Sequence, residues 1–398
     1  MTRKSYAVAA CGAAKRSRSR VVPVRSRPLE GGATARWPAT WLGGVTGRLR
    51  STGRPVYAVN PMAAARYRER HTVARKKSDH LDAMVLANIL RTDADAHRTL
   101  PADSELAQVV AVLARAQQDA VWDRTQAGNK LRSHLREYFP GYLAAVQPIT
   151  GGLTAPLART LLATAPTPGQ AARLTRAQLK AVLKRAGRQR GIDAEVERLH
   201  AALRLAQMRQ LPLVEQAMGR QALALLGKFE AACTTADDLA EASVELFEQH
   251  PDAAIITSFP GLDALSGARV LAEIGDDRTR FADAKALKAY AKALKAYAGS
   301  APVTRASGKS HAVMVRRVKN QRLAAVGYVW AFASLTASTG ARAHYDRRRK
   351  AGDRHSSAQR NLYNRLLGCL HHCLATGTPY SETTAFPVPP KLELAIAA

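Results

Sequence analysis

Acidic side chains are scarce in this sequence: 31 Asp+Glu stand against 60 Lys+Arg in 398 residues, a formal net charge of +29. That imbalance excludes a near-neutral metabolic enzyme and calls for a polyanionic partner, because each phosphate neutralised releases a condensed counterion. Nucleic acid is the first candidate. Cysteine is scarce too: Cys11, Cys233, Cys369 and Cys373 make no disulfide framework in a chain this long, which points to a reducing, cytoplasmic compartment. No apolar run reaches the roughly 18 residues of a membrane span, so no membrane partner is expected. The opening MTRKSYAVAACGAAKR mimics a signal peptide, but its small residues are weakly hydrophobic and Lys15 ends them. Aromatics are only 6%, yet hydrophobic residues reach 46%, enough for two or three alanine-rich helical cores and too many for a wholly disordered polycation.

What is present divides the chain into stretches. Residues 1–54 hold 12 Lys/Arg and one acidic residue, Glu30, with no period of 2 or 3.6. At Pro55 the pattern changes: VYAVNP is a β-type run stopped by Asn60-Pro61. Leu81, Met84, Val85, Ile89 and Leu90 then predict a helix over 79–91 with Ser78 or Asp79 as its cap. From Ser104 to Phe139, Leu106, Val110, Leu113, Ala120, Leu131 and Leu135 recur at three, four and seven, which predicts a long helix able to pair with another. Proline and glycine punctuate 140–250 into a mosaic of shorter helices. A second compact unit is expected from Asp252 to Thr376, and the proline-interrupted tail 377–398 is expected to be loose. KALKAYA occurs at 285–291 and again at 292–298. Seven residues are almost two turns, so the copy adds roughly 10 Å of helix while rotating its face by only about 20°.

Several motifs could carry chemistry. Asp79 and Asp82 stand at i and i+3 at a helix start, where one face and the positive macrodipole end could let them share a divalent cation; a capping box explains the same spacing. IITSFPGLDALSGARVLAEIGD (255–276) has the layout of a helix-hairpin-helix, with Gly261 in the turn able to bring backbone amides to a phosphate. Asp263, where a second hairpin glycine would be favoured, also fits an ordinary helix-turn-helix packing unit. Gly308-Lys309-Ser310 resembles the end of a P-loop, but Val303 occupies the first glycine's place. Ser307 lies in a small-residue loop among Arg305, Lys309, Arg316, Arg317 and Arg322, which could hold a phosphodiester. From Ala301 to Arg365, 14 Lys/Arg oppose Asp346 and Asp353. RAHYDRRRKAGDRHSS lies in that stretch and reads as phosphate contact rather than a solvated charge run. CLHHC (369–373) lacks a second ligand pair with zinc spacing and suits a helix core.

In order, VYAVNP with ARKKSDHLDAMVLANIL, SFPGLDALSGARVLAEIGD, and AYAGSAPVTRASGKSHAVMVRRVKNQRL with ARAHYDRRRKAG resemble the transposases of insertion-sequence family 110, over roughly Pro55 to Thr376. The resemblance implies a mostly α protein with an α/β part. Its order would be a degraded RNase H or RuvC-like domain (the remainder at 55–101), a helical coiled-coil connector (102–250), and a helical C-terminal domain with the hairpin and serine loop (251–376). It implies Mg²⁺ on four acidic residues, the last two matching Asp79 and Asp82, and Ser307 as the nucleophile on DNA. It also implies an element-encoded bridge RNA, a homo-oligomer whose protomers share the site, and a cytoplasmic, nucleoid-associated location.

The departures matter as much. No aspartate precedes Asp79, and the only earlier glutamates are Glu30 and Glu69. The family's second acidic position falls near Ala39, so half the metal site is missing and weak or no strand exchange is expected. Residues 1–54 look like a strand-helix region read in a shifted frame. The other readings are a non-catalytic nucleic-acid-binding remnant and an RNA-chaperone-like protein, which fits the charge but not the ordered landmarks.

Overall fold

The computed structural model describes residues 6–9, 56–59, 61–71, 79–94, 97, 99–281, 294–301, 303–307, 310–314, 316–317 and 319–387. The rest of the basic N-terminal segment, Ser78, and the tandem repeat up to residue 293 lie outside them. In chain order the elements begin with β1 (Tyr6–Ala9), β2 (Val56–Val59), α1 (Pro61–His71), α2 (Asp79–Asp93) and α3 (Glu105–Tyr138). Next come α4 (Pro140–Val146), α5 (Pro156–Thr164), α6 (Pro168–Arg173), α7 (Arg176–Arg185), α8 (Ile192–Ala202) and α9 (Pro212–Glu248). The series closes with α10 (Ala253–Thr257), α11 (Ala264–Ile274), α12 (Leu294–Tyr297), β3 (Val303–Ser307), β4 (Ser310–Met314), α13 (Gln321–Ala337), α14 (Thr339–Lys350), α15 (His355–Thr376) and α16 (Glu382–Ala385). Helix dominates, as the composition requires. Two compact units result, neither a continuous stretch: residues 1–104, 276–324 and 360–376 make one, and 105–275, 325–359 and 377–398 the other.

In the first unit β1 pairs antiparallel with β2, Tyr6 opposite Val59 and Ala9 opposite Val56. The strand ends at Val59, and Pro61, with no N–H to leave unsatisfied, opens α1. Val59, Ala64, Val85, Leu86, Ile89 and Leu90 close a small core between strand and helices. Beyond α2 the chain returns to β2, where Leu100 N donates to Val56 O at 2.6 Å. Asp276 and Asp277 then hold that return: Ser104 N donates to Asp276 Oδ1 and Ala102 N to Asp277 Oδ2, both at 2.9 Å. Asn320 caps α13 through Leu323 N (3.0 Å) and donates through Nδ2 to the Tyr297 hydroxyl (2.6 Å). Buried Ser300 bonds Asn364 (3.1 Å), and the Tyr363 hydroxyl donates to Leu323 O (3.2 Å).

The second unit is built on α3 and α9. Gln117 meets Ala236 O, Gly128 faces Phe229, and His134 bonds Met218 O, so the two helices run antiparallel. Their seam positions step by three, four or seven: 107, 110, 114, 117 and 128, 131, 135, 138 on α3; 215, 219, 222, 226, 229, 233, 236, 243 and 247 on α9. That is a heptad seam. The mosaic of short helices expected over 140–250 therefore stops at α8, and 212–248 is one 37-residue helix. The short helices α4 to α8 share one core with the seam, in which Tyr138 and Tyr142 donate their hydroxyls to Pro166 O (2.7 Å) and Ala158 O (2.6 Å). Helix α11 docks on α3 through Arg115–Glu273 (2.8 Å) and Arg269–Gln117 (3.0 Å). The tail is held as far as Phe386 rather than loose: the Tyr380 ring packs at a tilt of 48° against Phe259 with centroids 4.7 Å apart, and Glu382 accepts from Ser338 Oγ and Gly340 N, both at 2.7 Å. Among the described residues no single helix is long and apolar enough to cross a membrane.

Candidate nucleic-acid interface

Ser307 ends β3. The register from Val303↔Met314 to Ser307↔Ser310 pairs β3 antiparallel with β4, where a small-residue loop was expected from the sequence. Val303, Thr304, Val313 and Met314 supply the β-type residues that a serine- and lysine-rich stretch obscures. Ser307 and Ser310 are both exposed. Of the five cations expected around this serine, Arg317 is exposed, Arg322 is half-buried on the first turn of α13, and half-buried Arg316 donates through Nε to Ala301 O at 3.3 Å. The Arg305 side chain and Lys309 lie outside the described residues.

Gly261 sits at the turn between α10 and α11 with φ +81°, a left-handed conformation that glycine adopts freely. A Cβ there would stand 2.7 Å from Ser334 N and 2.9 Å from the Ala333 carbonyl carbon, so the turn presses on the backbone of α13. Trp330 Nε1 donates to Pro260 O at 3.1 Å and its ring meets Phe259 edge-on. Asp263 has a structural explanation: its carboxylate caps α11, accepting from Ser266 N at 2.7 Å.

Asp79 opens α2, and its side chain lies outside the described residues. Asp82, one turn later, is buried and forms an ion pair with Arg68 of α1. Among the described residues no group of three or more His, Cys, Asp or Glu side chains could hold a metal ion, and β1 carries no carboxylate. The described residues therefore do not fit a four-carboxylate Mg²⁺ site. In CLHHC, His371 Nε2 bonds Phe281 O at 3.0 Å and Cys373 is buried, while burial pushes the Cys369 thiol pKa up.

The basic run 342–355 is sorted by the fold into paired and outward cations. Helix α14 ends in a Schellman motif: Asp353 N donates to Arg348 O and Gly352 N to Arg349 O, with Gly352 at φ +91°. Both carboxylates are taken up, Asp346 by Arg342 (3.0 Å) and Asp353 by Arg348 (2.6 Å). Tyr345 and His355 clasp the two helices, hydroxyl to Nδ1 at 2.7 Å. Arg347, Lys350 and Arg354 remain exposed with no carboxylate partner among the described residues, and Arg349 reaches only the Asp353 carbonyl (2.7 Å). The run was visible in the sequence, but not which of its cations face outward.

An exposed hydroxyl at the end of a strand, a cationic corner between α14 and α15 and a carboxylate-bearing helix suit a protein that works on nucleic acid, and comparison with known proteins makes the class specific: this is a transposase. Residues 42–140 match a DEDD transposase model of the IS110 type, and residues 253–346 match the IS116/IS110/IS902 transposase family. A Streptomyces coelicolor protein named for the IS117 mini-circle is 60% identical over 338 residues, 85% of this chain and 80% of that protein. The 43.6 kDa protein of insertion element IS110 from the same organism is 28% identical over 77% of this chain and 72% of its own length. The 42 kDa protein of IS900 from Mycobacterium paratuberculosis is 29% identical over 77% and 74%. The chain belongs to the IS110 family of insertion-sequence transposases.

Proposed function

We propose that this transposase cuts and rejoins DNA through Ser307. The observation that carries the reading is the exposure of that hydroxyl at the end of β3, inside the stretch that matches the family. The Ser307 oxygen attacks a backbone phosphorus, a phosphoserine ester forms, and the displaced DNA oxygen leaves with the proton. Attack by a hydroxyl of the new DNA partner then reseals the strand and returns the serine. Arg305, Lys309, Arg316, Arg317 and Arg322 neutralise the charge on the phosphate during both steps. The turn around Gly261, with the helix-hairpin-helix layout, adds contacts to the DNA backbone outside the reacting phosphate.

The N-terminal domain is the remainder of a RuvC-like fold. Of the four acidic positions that would hold Mg²⁺, this chain supplies Asp79 and Asp82, and no step above is routed through the ion. Two carboxylates bind Mg²⁺ far less securely than four, so strand exchange by this copy is weak, and its complete absence belongs to the non-catalytic alternative. The family match starts at residue 42, and the residues before it contain Glu30 as their one acidic side chain, which supports a shifted reading frame there. A bridge RNA that pairs with donor and target DNA, and an assembly in which different protomers supply the carboxylates and the serine, complete the reading.

A strand-exchange assay with cognate DNA and guide RNA tests it: the parent is expected to form covalent protein–DNA product that Ser307→Ala does not. Equal product from both would end the nucleophile assignment. The ion pair that already occupies Asp82, together with the outward cations of 347–354, favours one alternative, a non-catalytic remnant that binds nucleic acid. The DNA upstream of codon 55 separates the two histories. A second frame encoding an acidic residue on a β-type run supports the shifted-frame account, and its absence counts against it.

A further inference from the structure

The segment joining α8 to α9 is tied to the second unit by polar side chains at its surface: half-buried Gln207 accepts through Oε1 from Gly141 N (2.8 Å), exposed Gln210 donates through Nε2 to Glu137 O (3.2 Å), and exposed Arg209 pairs with buried Glu215 (2.7 Å), which also accepts from Gly169 N (3.2 Å). Its apolar side chains face out. Leu205, Met208 and Leu211 are exposed, and Leu213 and Val214 continue the row on the first turn of α9, with Met208 at 89%, Leu213 at 80% and Leu211 at 74% of full exposure. Five large apolar side chains exposed within ten residues are more than the scattered single ones of an ordinary surface, and such a cluster marks an interaction surface. The hydrogen bonds of Gln207, Arg209 and Gln210 fix which side chains point outward.

We propose that this row is where a second copy of the chain docks. Charge selects that occupant. From Leu205 to Ala217 the only ionisable side chains are Arg209 and Glu215, which cancel, in a chain of net charge +29. A polyanion has no counterion to release at a neutral apolar patch. Two like-charged polycations, in contrast, approach most cheaply where the facing surfaces carry no net charge. Such a patch also meets its own copy across a two-fold axis without a like-charge clash. The inference rests on the multi-protomer assembly proposed above and gives that assembly a contact surface.

Sedimentation velocity on nuclease-treated, full-length protein at low and high salt tests it. The parent is expected to sediment as a dimer or larger at both salts. Met208→Asp combined with Leu211→Asp is expected to weaken association by about tenfold or more, since each charge would be buried unpaired. Should that variant misfold, Met208→Ser combined with Leu211→Ser gives the same readout with no charge added, and its melting curve should match the parent's because both sites are exposed. A monomeric parent, variants that assemble as the parent does, or association lost with nuclease and salt, as a nucleic-acid bridge would be, each overturns the proposal. The measurement needs neither DNA nor cleavage, so its failure leaves the Ser307 reading standing, and a failed Ser307 test leaves the sedimentation result standing.

Discussion

Half-buried Arg68 of α1 holds buried Asp82 of α2 in an ion pair, and the carboxylate that the family resemblance assigns to a metal is thereby already charge-compensated within the chain. An acidic group taken out of water is stabilised by that partner, and losing either partner leaves the other uncompensated. Arg68→Ala and Asp82→Asn are each expected to cost about 1–2 kcal/mol, discounted because the arginine is partly exposed, and the double variant less than their sum. Chemical denaturation of the four proteins in a double-mutant cycle checks the coupling. Strict additivity would mean that the pair contributes nothing.

The corner between α14 and α15 should bind nucleic acid through its outward cations. Each phosphate contact contributes roughly 0.9 to the slope of log affinity against log salt. Arg347→Ala combined with Arg349→Ala is therefore expected to flatten that slope by about 1.8 on duplex DNA, while Arg348→Ala, whose guanidinium is occupied by Asp353, acts mainly on stability. Fluorescence anisotropy across a salt series reads both. An unchanged slope would remove the corner from the interface.

Gly261→Ala combines two penalties, a left-handed backbone that alanine resists and a Cβ driven into the backbone of α13. It is expected to destabilise the protein by at least about 2 kcal/mol, seen as a lowered thermal midpoint. Gly187→Ala provides the control for backbone strain alone, because that glycine has φ +81° but open space around its Cβ position.

Acid should loosen α8. The Arg198 side chain hydrogen-bonds Glu195 and lowers its pKa against the opposing effect of burial, with the Arg198 and Arg188 charges adding to the lowering. A carboxylate whose pKa is lower folded than unfolded binds more protons when unfolded. Its stabilisation is therefore complete above the ordinary glutamate range and is lost as pH falls through and below it. Glu195→Gln should remove this part of the acid dependence, which denaturation curves collected between neutral and acid pH would show.

Much of this organisation can be read from residue types, and the exceptions have physical causes. The boundaries of α2 and α3 follow from large apolar residues at helical spacing. Helix α9 escaped because its seam is made of Glu215, Gly219, Ala222, Cys233, Ala236 and Ser243, with only Leu226, Phe229 and Phe247 large and apolar. Close helix packing selects small residues there, and small residues carry no hydrophobic signal. Ser307 was legible as a serine among cations but not as the end of a strand, since the pairing with Ser310 depends on β4. Asp82 was legible as half of an i, i+3 carboxylate pair. Its engagement by Arg68 joins two helices and has no local signature.

The most direct test of the central claim is to map the protein–DNA adduct itself. A nicked substrate whose cleaved strand can diffuse away should accumulate the covalent intermediate even in a slow enzyme, and digestion followed by tandem mass spectrometry locates the nucleotide remnant. The account predicts a phosphodiester on Ser307 and none in Ser307→Ala. A remnant on another hydroxyl, such as Tyr345 beside His355, would contradict it, and so would the absence of any adduct from the parent, which would leave a nucleic-acid-binding remnant in place of a recombinase.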